Sequence, residues 1–411
     1  MIPLALADLP PGRLDTARGA EGITGVKIDS RLVEAGDLFV AIGRGIEFVE
    51  DARARGAAAT LVPDDAFAAM AALGAAVRDR SDARVVGITG STGKTGTKDI
   101  LAALCRPSAR TVAAEASFNN ELGVPLTLCR LEPDTDVCIL ELAMRGFGQI
   151  AELAAIARPE IGAITNIGPV HLELVGDVAG VRRAKAELVE ALPRGGTAIV
   201  PEEFPVERDD VHVVRVGLPD DAVVENGRML LGGVSFGFTA RHHAANAAVA
   251  LAVLDVLGLP RPGHVDVPFS RWRGEELPLP RGGLLVNDCY NANPVSMRAA
   301  LELLSDRALG RRRVAILGDM AELGPDGPRY HREVGAAAAE LGVDVLVAIG
   351  PLARGYLEGA GGVQTTRWAP SLEEGLEAVR EVVEAGDCVL VKGSRAMGLE
   401  AVVDALAGVA A

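Results

Sequence analysis

Apolar runs of four to six residues alternate with helical patterns through most of this chain, the signature of parallel strands buried on both faces and joined by helices. In the middle of the chain, residues 137–142, 161–165 and 197–200 read as such strands. Upstream, residues 25–28 and 37–42 form shorter apolar runs, and the alanine-rich stretch 50–59 reads as helix. The polar segment Arg78-Asp79-Arg80-Ser81-Asp82 then makes a linker. A helix over 244–257 runs into Gly258-Leu259-Pro260-Arg261-Pro262-Gly263, a Pro/Gly-rich hinge. Beyond it, strands at 284–288, 314–317, 345–349 and 389–391 leave room for helices between them, which predicts a second doubly wound sheet without a phosphate loop of its own. With Gly90-Ser91-Thr92-Gly93-Lys94-Thr95 following the apolar run at 85–89 as a phosphate-binding loop, the expected architecture is α/β in three domains: a small α/β N-terminal domain over 1–82, a central parallel-sheet ATPase domain of P-loop type over 83–262, and a C-terminal Rossmann-like domain over 263–411. Ligands of such sheets collect at the carboxyl ends of the strands and at domain interfaces.

Residues 85–98 compress a buried strand, a glycine loop and a helix start into Val85-Val86-Gly87-Ile88-Thr89-Gly90-Ser91-Thr92-Gly93-Lys94-Thr95-Gly96-Thr97-Lys98. That order makes a cradle for nucleotide phosphates. Gly90 and Gly93 let backbone N–H groups turn onto an anion, with Ser91, Thr92 and Gly96 completing the loop. Lys94 can reach the β- and γ-phosphates, and the Thr95 hydroxyl can ligate Mg²⁺. Ile88 stands where the general G-x-x-x-x-G-K-[ST] pattern has its first glycine. A Gly-rich turn with an exposed lysine is the alternative, but strand, loop and helix fall in the order that ATP binding requires.

Glu141 ends the apolar run Val137-Cys138-Ile139-Leu140, where an acid has no packing purpose. In a phosphate-loop domain such a position faces bound Mg²⁺; otherwise it is a solvated strand-end carboxylate. His171, in Asn166-Ile167-Gly168-Pro169-Val170-His171, follows the third buried run and reads either as a metal ligand or as a structural histidine. Lys185 lies in Arg182-Arg183-Ala184-Lys185-Ala186-Glu187, a helix face on which a lysine is ordinarily a solvated charge.

Composition narrows the classes. A chain of 411 residues exceeds one ordinary core. A formal charge of −15 and 3% aromatic residues argue against a nucleic-acid partner, which needs cationic surface and stacking platforms. The first ten residues lack a basic n-region and no eighteen apolar residues run together, so neither signal peptide nor membrane span is expected and a cytoplasmic protein is. Five scattered cysteines without a C-x-x-C pair read as buried thiols.

Taken together the motifs resemble the Mur ligase superfamily. The matching pieces span nearly the whole chain: Asp29-Ser30-Arg31 and Gly36-Asp37-Leu38-Phe39-Val40-Ala41, the phosphate loop, Asn119-Asn120-Glu121-Leu122-Gly123-Val124-Pro125, the segment ending at His171, Ala184-Lys185-Ala186-Glu187, Arg241-His242-His243-Ala244-Ala245-Asn246, Tyr290-Asn291-Ala292-Asn293-Pro294, Leu317-Gly318-Asp319-Met320-Ala321-Glu322-Leu323-Gly324 and Lys392-Gly393-Ser394-Arg395. The resemblance implies an ATP-dependent amide ligase of peptidoglycan precursor synthesis, monomeric, joining D-alanyl-D-alanine to UDP-N-acetylmuramoyl-tripeptide through an acyl phosphate. It implies two Mg²⁺ ions, one at Thr95 and Glu141, the other at His171 and a CO₂-derived carbamate on Lys185. Asn246, Tyr290 and Asn291 would then contact the nucleotide, Asp288 the ribose and Arg273 the γ-phosphate. Ser30 and Arg31 would serve the UDP-linked substrate, Asn293 and Asp319 the dipeptide, and Asn119 and Asn120 would be substrate residues as well. For Arg273 a solvated linker arginine is the alternative, and for Asp319 a helix cap. A ligase of different donor or acceptor and a non-catalytic ATP-binding regulator are the other readings. Departures from the family pattern are the missing Asp-Gly-His triplet before Phe48, Gln149 in place of a glutamate, and Asp177 where serine is frequent.

Overall fold

A computed structural model of the chain describes residues 1–279 and 282–408. They form two compact units, neither continuous in sequence: the first takes residues 1–166, 183–239 and 243–268, the second 167–182, 240–242 and 269 onward.

The first unit opens with a four-stranded sheet of β1 (Gly12–Thr16), β2 (Gly25–Lys27), β3 (Asp37–Val40) and β4 (Ala59–Pro63), in the order β1-β4-β3-β2. All four positions of β3 are buried while all five of β1 are exposed, so the apolar run is interior and the polar one an edge. The helix expected over 50–59 is shorter, α1 (Val49–Ala54): Gly56, at φ +98, turns the chain out and the apolar run at 59 enters β4 instead. A helix absent from the sequence reading, α2 (Ala66–Arg78), starts at Asp65, whose carboxylate accepts from the Ala68 N–H at 3.0 Å.

The central sheet is entirely parallel. Its strands β5 (Arg84–Thr89), β6 (Thr111–Ala113), β7 (Val137–Glu141), β8 (Ile161–Ile164), β9 (Thr197–Pro201) and β10 (His212–Val216) stand in the order β10-β9-β8-β5-β7-β6. Helices α3 (Lys94–Cys105), α4 (Gly123–Leu128), α5 (Gln149–Ala157), α6 (Leu172–Val175) and α7 (Val178–Glu190) connect them. Because β7 and β8 flank β5 on opposite sides, the strand order reverses at the carboxyl end of β5, where doubly wound sheets bind ligands. The segment after α2 is pinned to this sheet: the Arg78 guanidinium donates to the carbonyls of Ala157 (3.2 Å) and Ser81 (3.0 Å) and pairs with Glu160 at 3.1 Å. Gly74 of α2 lies so close to α4 that a Cβ there would come within 2.9 Å of Pro125 Cα.

A small sheet follows: β11 (Val223–Glu225), β12 (Arg228–Leu231) and β13 (Val234–Phe236) form an antiparallel meander, and β14 (His264–Val265) joins β13 in parallel after α8 (Arg241–Leu257). Its first turn is Asn226-Gly227, both at positive φ as a two-residue hairpin requires.

The second unit carries β15 (Glu275–Pro278), β16 (Leu284–Asp288), β17 (Arg313–Gly318), β18 (Val345–Ile349), β19 (Thr365–Ala369) and β20 (Cys388–Lys392) in the order β15-β16-β20-β17-β18-β19, parallel except for β15. Helices α9 (Pro294–Ala308), α10 (Gly327–Glu340), α11 (Arg354–Gly359), α12 (Leu372–Val382) and α13 (Glu400–Ala407) cover it. Leu285, Ile316, Val347, Val389, Val379 and Val402 belong to its core. Among the described residues no helix is long and apolar enough to cross a membrane.

Candidate active site

The loop after β5 has the cradle geometry. Gly90 and Gly93 adopt φ +151 and +79, and a Cβ at either would strike a neighbour, Thr165 Oγ1 at 1.8 Å or Asn246 Oδ1 at 2.3 Å. Ile88, at the position of the missing glycine, is the penultimate residue of the buried strand and pairs with Glu141 across the sheet, so the turn needs only the two downstream glycines. The end of β8 holds the loop: the Thr92 N–H donates to Asn166 Oδ1 at 2.8 Å, Ser91 N–H to the Asn166 carbonyl at 3.1 Å, and the Thr165 hydroxyl to the Thr92 carbonyl at 2.5 Å. Lys94 folds back on the Gly90 carbonyl at 2.8 Å. Gly96 faces Asn246, whose amide nitrogen would lie 2.8 Å from a Cβ there.

Glu141 is not solvated. It is 1% exposed and accepts from the Thr95 hydroxyl on Oε2 and the Asn119 amide on Oε1, both at 2.9 Å. Asn119 therefore orients the carboxylate, while Asn120 accepts from the Gly123 N–H at 3.0 Å at the start of α4. Lys185 is also interior, 2% exposed on α7, and burial followed by the charge of Lys94 pushes its amine well below the ordinary lysine value. In the 3-10 turn between β2 and β3 Ser30 is buried, whereas the exposed Arg31 binds its neighbour Asp29 at 2.6 Å and, chiefly through its guanidinium, holds that carboxyl down at about 2. Among the described residues no group of three or more His, Cys, Asp or Glu forms a ready-made metal cage.

In the second unit the functional candidates gather at the carboxyl edge of the sheet. Asp288 and Lys392 end the paired strands β16 and β20, and the buried Lys392 ammonium donates to Asp288 Oδ2 at 2.6 Å and the Asn291 carbonyl at 2.9 Å. Arg273 stacks on the Tyr290 ring, 4.1 Å from its centroid, and is no loose linker charge. Asn293 is buried and caps α9, accepting from the Ser296 N–H at 3.0 Å. Asp319, past the end of β17, accepts from the Ala353 N–H at 2.6 Å; burial nonetheless lifts its carboxyl above the usual range, against the pull of the Ala353 and Leu352 N–H groups. His171 belongs to this unit, at φ +54, with Nδ1 2.5 Å from Oε2 of Glu322, itself at φ +62.

Two departures from the family pattern prove structural. Gln149 closes the turn before α5 by accepting from the Arg145 N–H at 2.7 Å, and Asp177 accepts from the Gly180 N–H at 2.6 Å in the first turn of α7. Residues given no role in the sequence reading also matter: Thr165 and Asn166 brace the loop, Glu322 holds His171, and Lys98 is buried beside the cradle. Thr165 and Asn166 sit at the carboxyl end of a parallel strand, a position that was itself a signal. All five cysteines are buried and unpaired, with thiols raised to about 11 or 12, chiefly by desolvation.

The comparisons agree with this geometry. The model of the Mur ligase middle domain matches residues 88–254, and that of the Mur ligase, glutamate ligase domain matches 272–395. Over 421 aligned residues the chain is 34% identical to the UDP-N-acetylmuramoyl-tripeptide–D-alanyl-D-alanine ligase of Synechocystis sp., with 93% of this chain and 92% of that one covered. The crystal structure of MurF from Acinetobacter baumannii is similar at TM-score 0.80 and 27% identity, covering 97% of this chain and 96% of that one. MurF ligase from Thermotoga maritima, solved in complex with ADP, shares the fold at TM-score 0.76 and 24% identity, covering 94% of this chain and 97% of that one.

Proposed function

This chain belongs to the Mur ligase family, and we propose that it is an ATP-dependent, ADP-forming ligase that joins D-alanyl-D-alanine to UDP-N-acetylmuramoyl-tripeptide in peptidoglycan precursor synthesis. The full-length likeness to a ligase of that name carries the reading. A phosphate loop backed by a buried carboxylate is what its chemistry needs.

At neutral pH a carboxylate and an amine form a salt, so the carboxylate must first be activated. A carboxylate oxygen of the tripeptide attacks the γ-phosphorus of ATP, the bond to ADP breaks, and an acyl phosphate results. The amine of the dipeptide then attacks the acyl carbon, a C–N bond forms, phosphate leaves, and the amine proton passes to solvent. The N–H groups of the loop and Lys94 hold the phosphates, and Arg273 is assigned to the γ-phosphate. Asn246, Asp288, Tyr290 and Asn291 are assigned to the nucleoside, Ser30 and Arg31 to the donor, Asn293 and Asp319 to the dipeptide, and Asn119 and Asn120 to substrate. The segments 1–82, 83–262 and 263–411 serve donor, ATP and dipeptide in turn. Excluding water matters because water would hydrolyse the acyl phosphate.

Mg²⁺ suits the residues present. It takes oxygen ligands from one or two carboxylates together with phosphates, and Thr95 and Glu141 offer a hydroxyl and a buried carboxylate in mutual contact. When bound, Mg²⁺ draws off charge that builds on the phosphate oxygens. His171 and Lys185 are each assigned a ligand role. The depressed amine of Lys185 supports its carbamylation: the uncharged nitrogen adds CO₂, loses a proton to water, and ends as an anion in place of a cation.

Phosphate release from ATP tests the proposal. With Mg²⁺, bicarbonate and UDP-N-acetylmuramoyl-tripeptide it should require D-alanyl-D-alanine and give a product heavier by one dipeptide residue. Equal turnover with single D-alanine, or silence with every muramoyl donor, would overturn it.

A further inference from the structure

Lys98 lies one helical turn beyond Lys94 on α3, is 2% exposed, and is not a core lysine by default, since burying an ammonium is costly unless its protons are satisfied. Its Nζ donates to two carbonyls of one loop, Ala114 at 2.8 Å and Ala116 at 2.9 Å, and stands 3.0 Å from Asp99. Between and beyond those carbonyls the chain does something unfavourable: Ala116, an exposed residue, adopts φ +44, the left-handed conformation that a side chain resists. The outcome of that turn lies three residues on. Asn119 returns to the sheet, its carbonyl accepting from the Ala143 N–H at 2.9 Å and its amide donating to Glu141.

We propose that Lys98 is a positioning residue for Glu141: by clamping both carbonyls it holds Ala116 left-handed, which brings Asn119 onto the buried carboxylate and aims that carboxylate at Thr95 and a divalent cation. The inference rests on the metal role given to Glu141 under the proposed function. Lys98 touches no substrate in this scheme, and it acts through the loop.

The test is calorimetric ADP binding, with and without Mg²⁺, to the full chain. Lys98→Met should weaken the Mg²⁺-dependent part of binding about tenfold, the size of a lost charge-assisted hydrogen bond, with metal-free ADP binding held within about twofold. Adding Ala116→Gly, which relieves the left-handed strain, should recover at least about threefold of that loss. Ala116→Val, an exposed change that opposes the same conformation, should reproduce the defect even where Lys98→Met does not fold. Wild-type Mg²⁺ dependence in Lys98→Met or in Ala116→Val, or no recovery by glycine, would overturn the proposal. Should the unsubstituted protein bind ADP with no Mg²⁺ dependence, the metal role of Glu141 falls, and this inference with it.

Discussion

Asp319 shows a residue working against its own fold. Its carboxyl is lifted by burial, so the native state holds that proton more tightly than the unfolded chain does. As pH rises from the ordinary carboxylate value through the raised one, the native state therefore loses stability relative to the unfolded state, and the loss is complete above the raised value. Asp319→Asn removes the titration, so its urea midpoint relative to the unsubstituted protein should be higher at pH 7.5 than at pH 4.5. If Asp319 also meets the dipeptide, the stabler variant should need more dipeptide for half-maximal rate, the exchange of stability for function expected at a site. Equal midpoint differences at both pH values would remove the burial argument. The sequence could place Asp319 in a motif but not predict this, because the groups packed on it, Gly350 and the Ala353 N–H just before α11, lie more than thirty residues downstream. Lys185 teaches the same lesson. In Arg182-Arg183-Ala184-Lys185-Ala186-Glu187 four of the six residues are charged, and nothing in the pattern marks the one lysine that turns inward.

At the scale of elements, the apolar runs were legible for the buried parallel strands of the second unit, whereas β4, buried at its first three positions, was hidden behind the alanine-rich stretch read as helix. The boundaries 284–288 and 345–349 match β16 and β18, and 314–317 and 389–391 lie within β17 and β20. Strands β15 and β19 escaped because they are edges: four of five positions of β19 are exposed or half-buried, so no apolar run announces it. Helix starts obey local rules more closely. Asn293 and Ser296 form a reciprocal capping box at α9, with Pro294 in the first turn. Asn293→Ala should therefore cost about 1 kcal/mol in chemical denaturation, and Asn293→Asp, which keeps an accepting oxygen, should cost less than half of that. A contact of Asn293 with the dipeptide would appear separately, as a raised KM in both variants. An alanine variant of unchanged stability would mean that the cap contributes nothing.

For the whole molecule, what the sequence conceals is which segments fold together. Composition does not change at residues 166–167 or 182–183, yet the chain passes there from one compact unit to the other and back. The reason lies in contacts made far along the chain. His171 and Glu322 meet through side chains while both hold left-handed backbone, and the Gly324 N–H donates to Glu173 at 3.3 Å. Each left-handed residue is held at a cost of about 1–2 kcal/mol, which the contact between the two side chains helps to offset. His171→Ala should then release the loop around Glu322. In ligand-free protein, hydrogen exchange of residues 320–324 should accelerate several-fold, because local opening follows the contacts that close it. Exchange at the phosphate loop, in the other unit and braced by Thr165 and Asn166, should not change. Unaltered exchange at 320–324 would mean that the second unit holds its loop without the segment around His171. Acceleration confined to that loop would instead give His171 a structural task that precedes any metal.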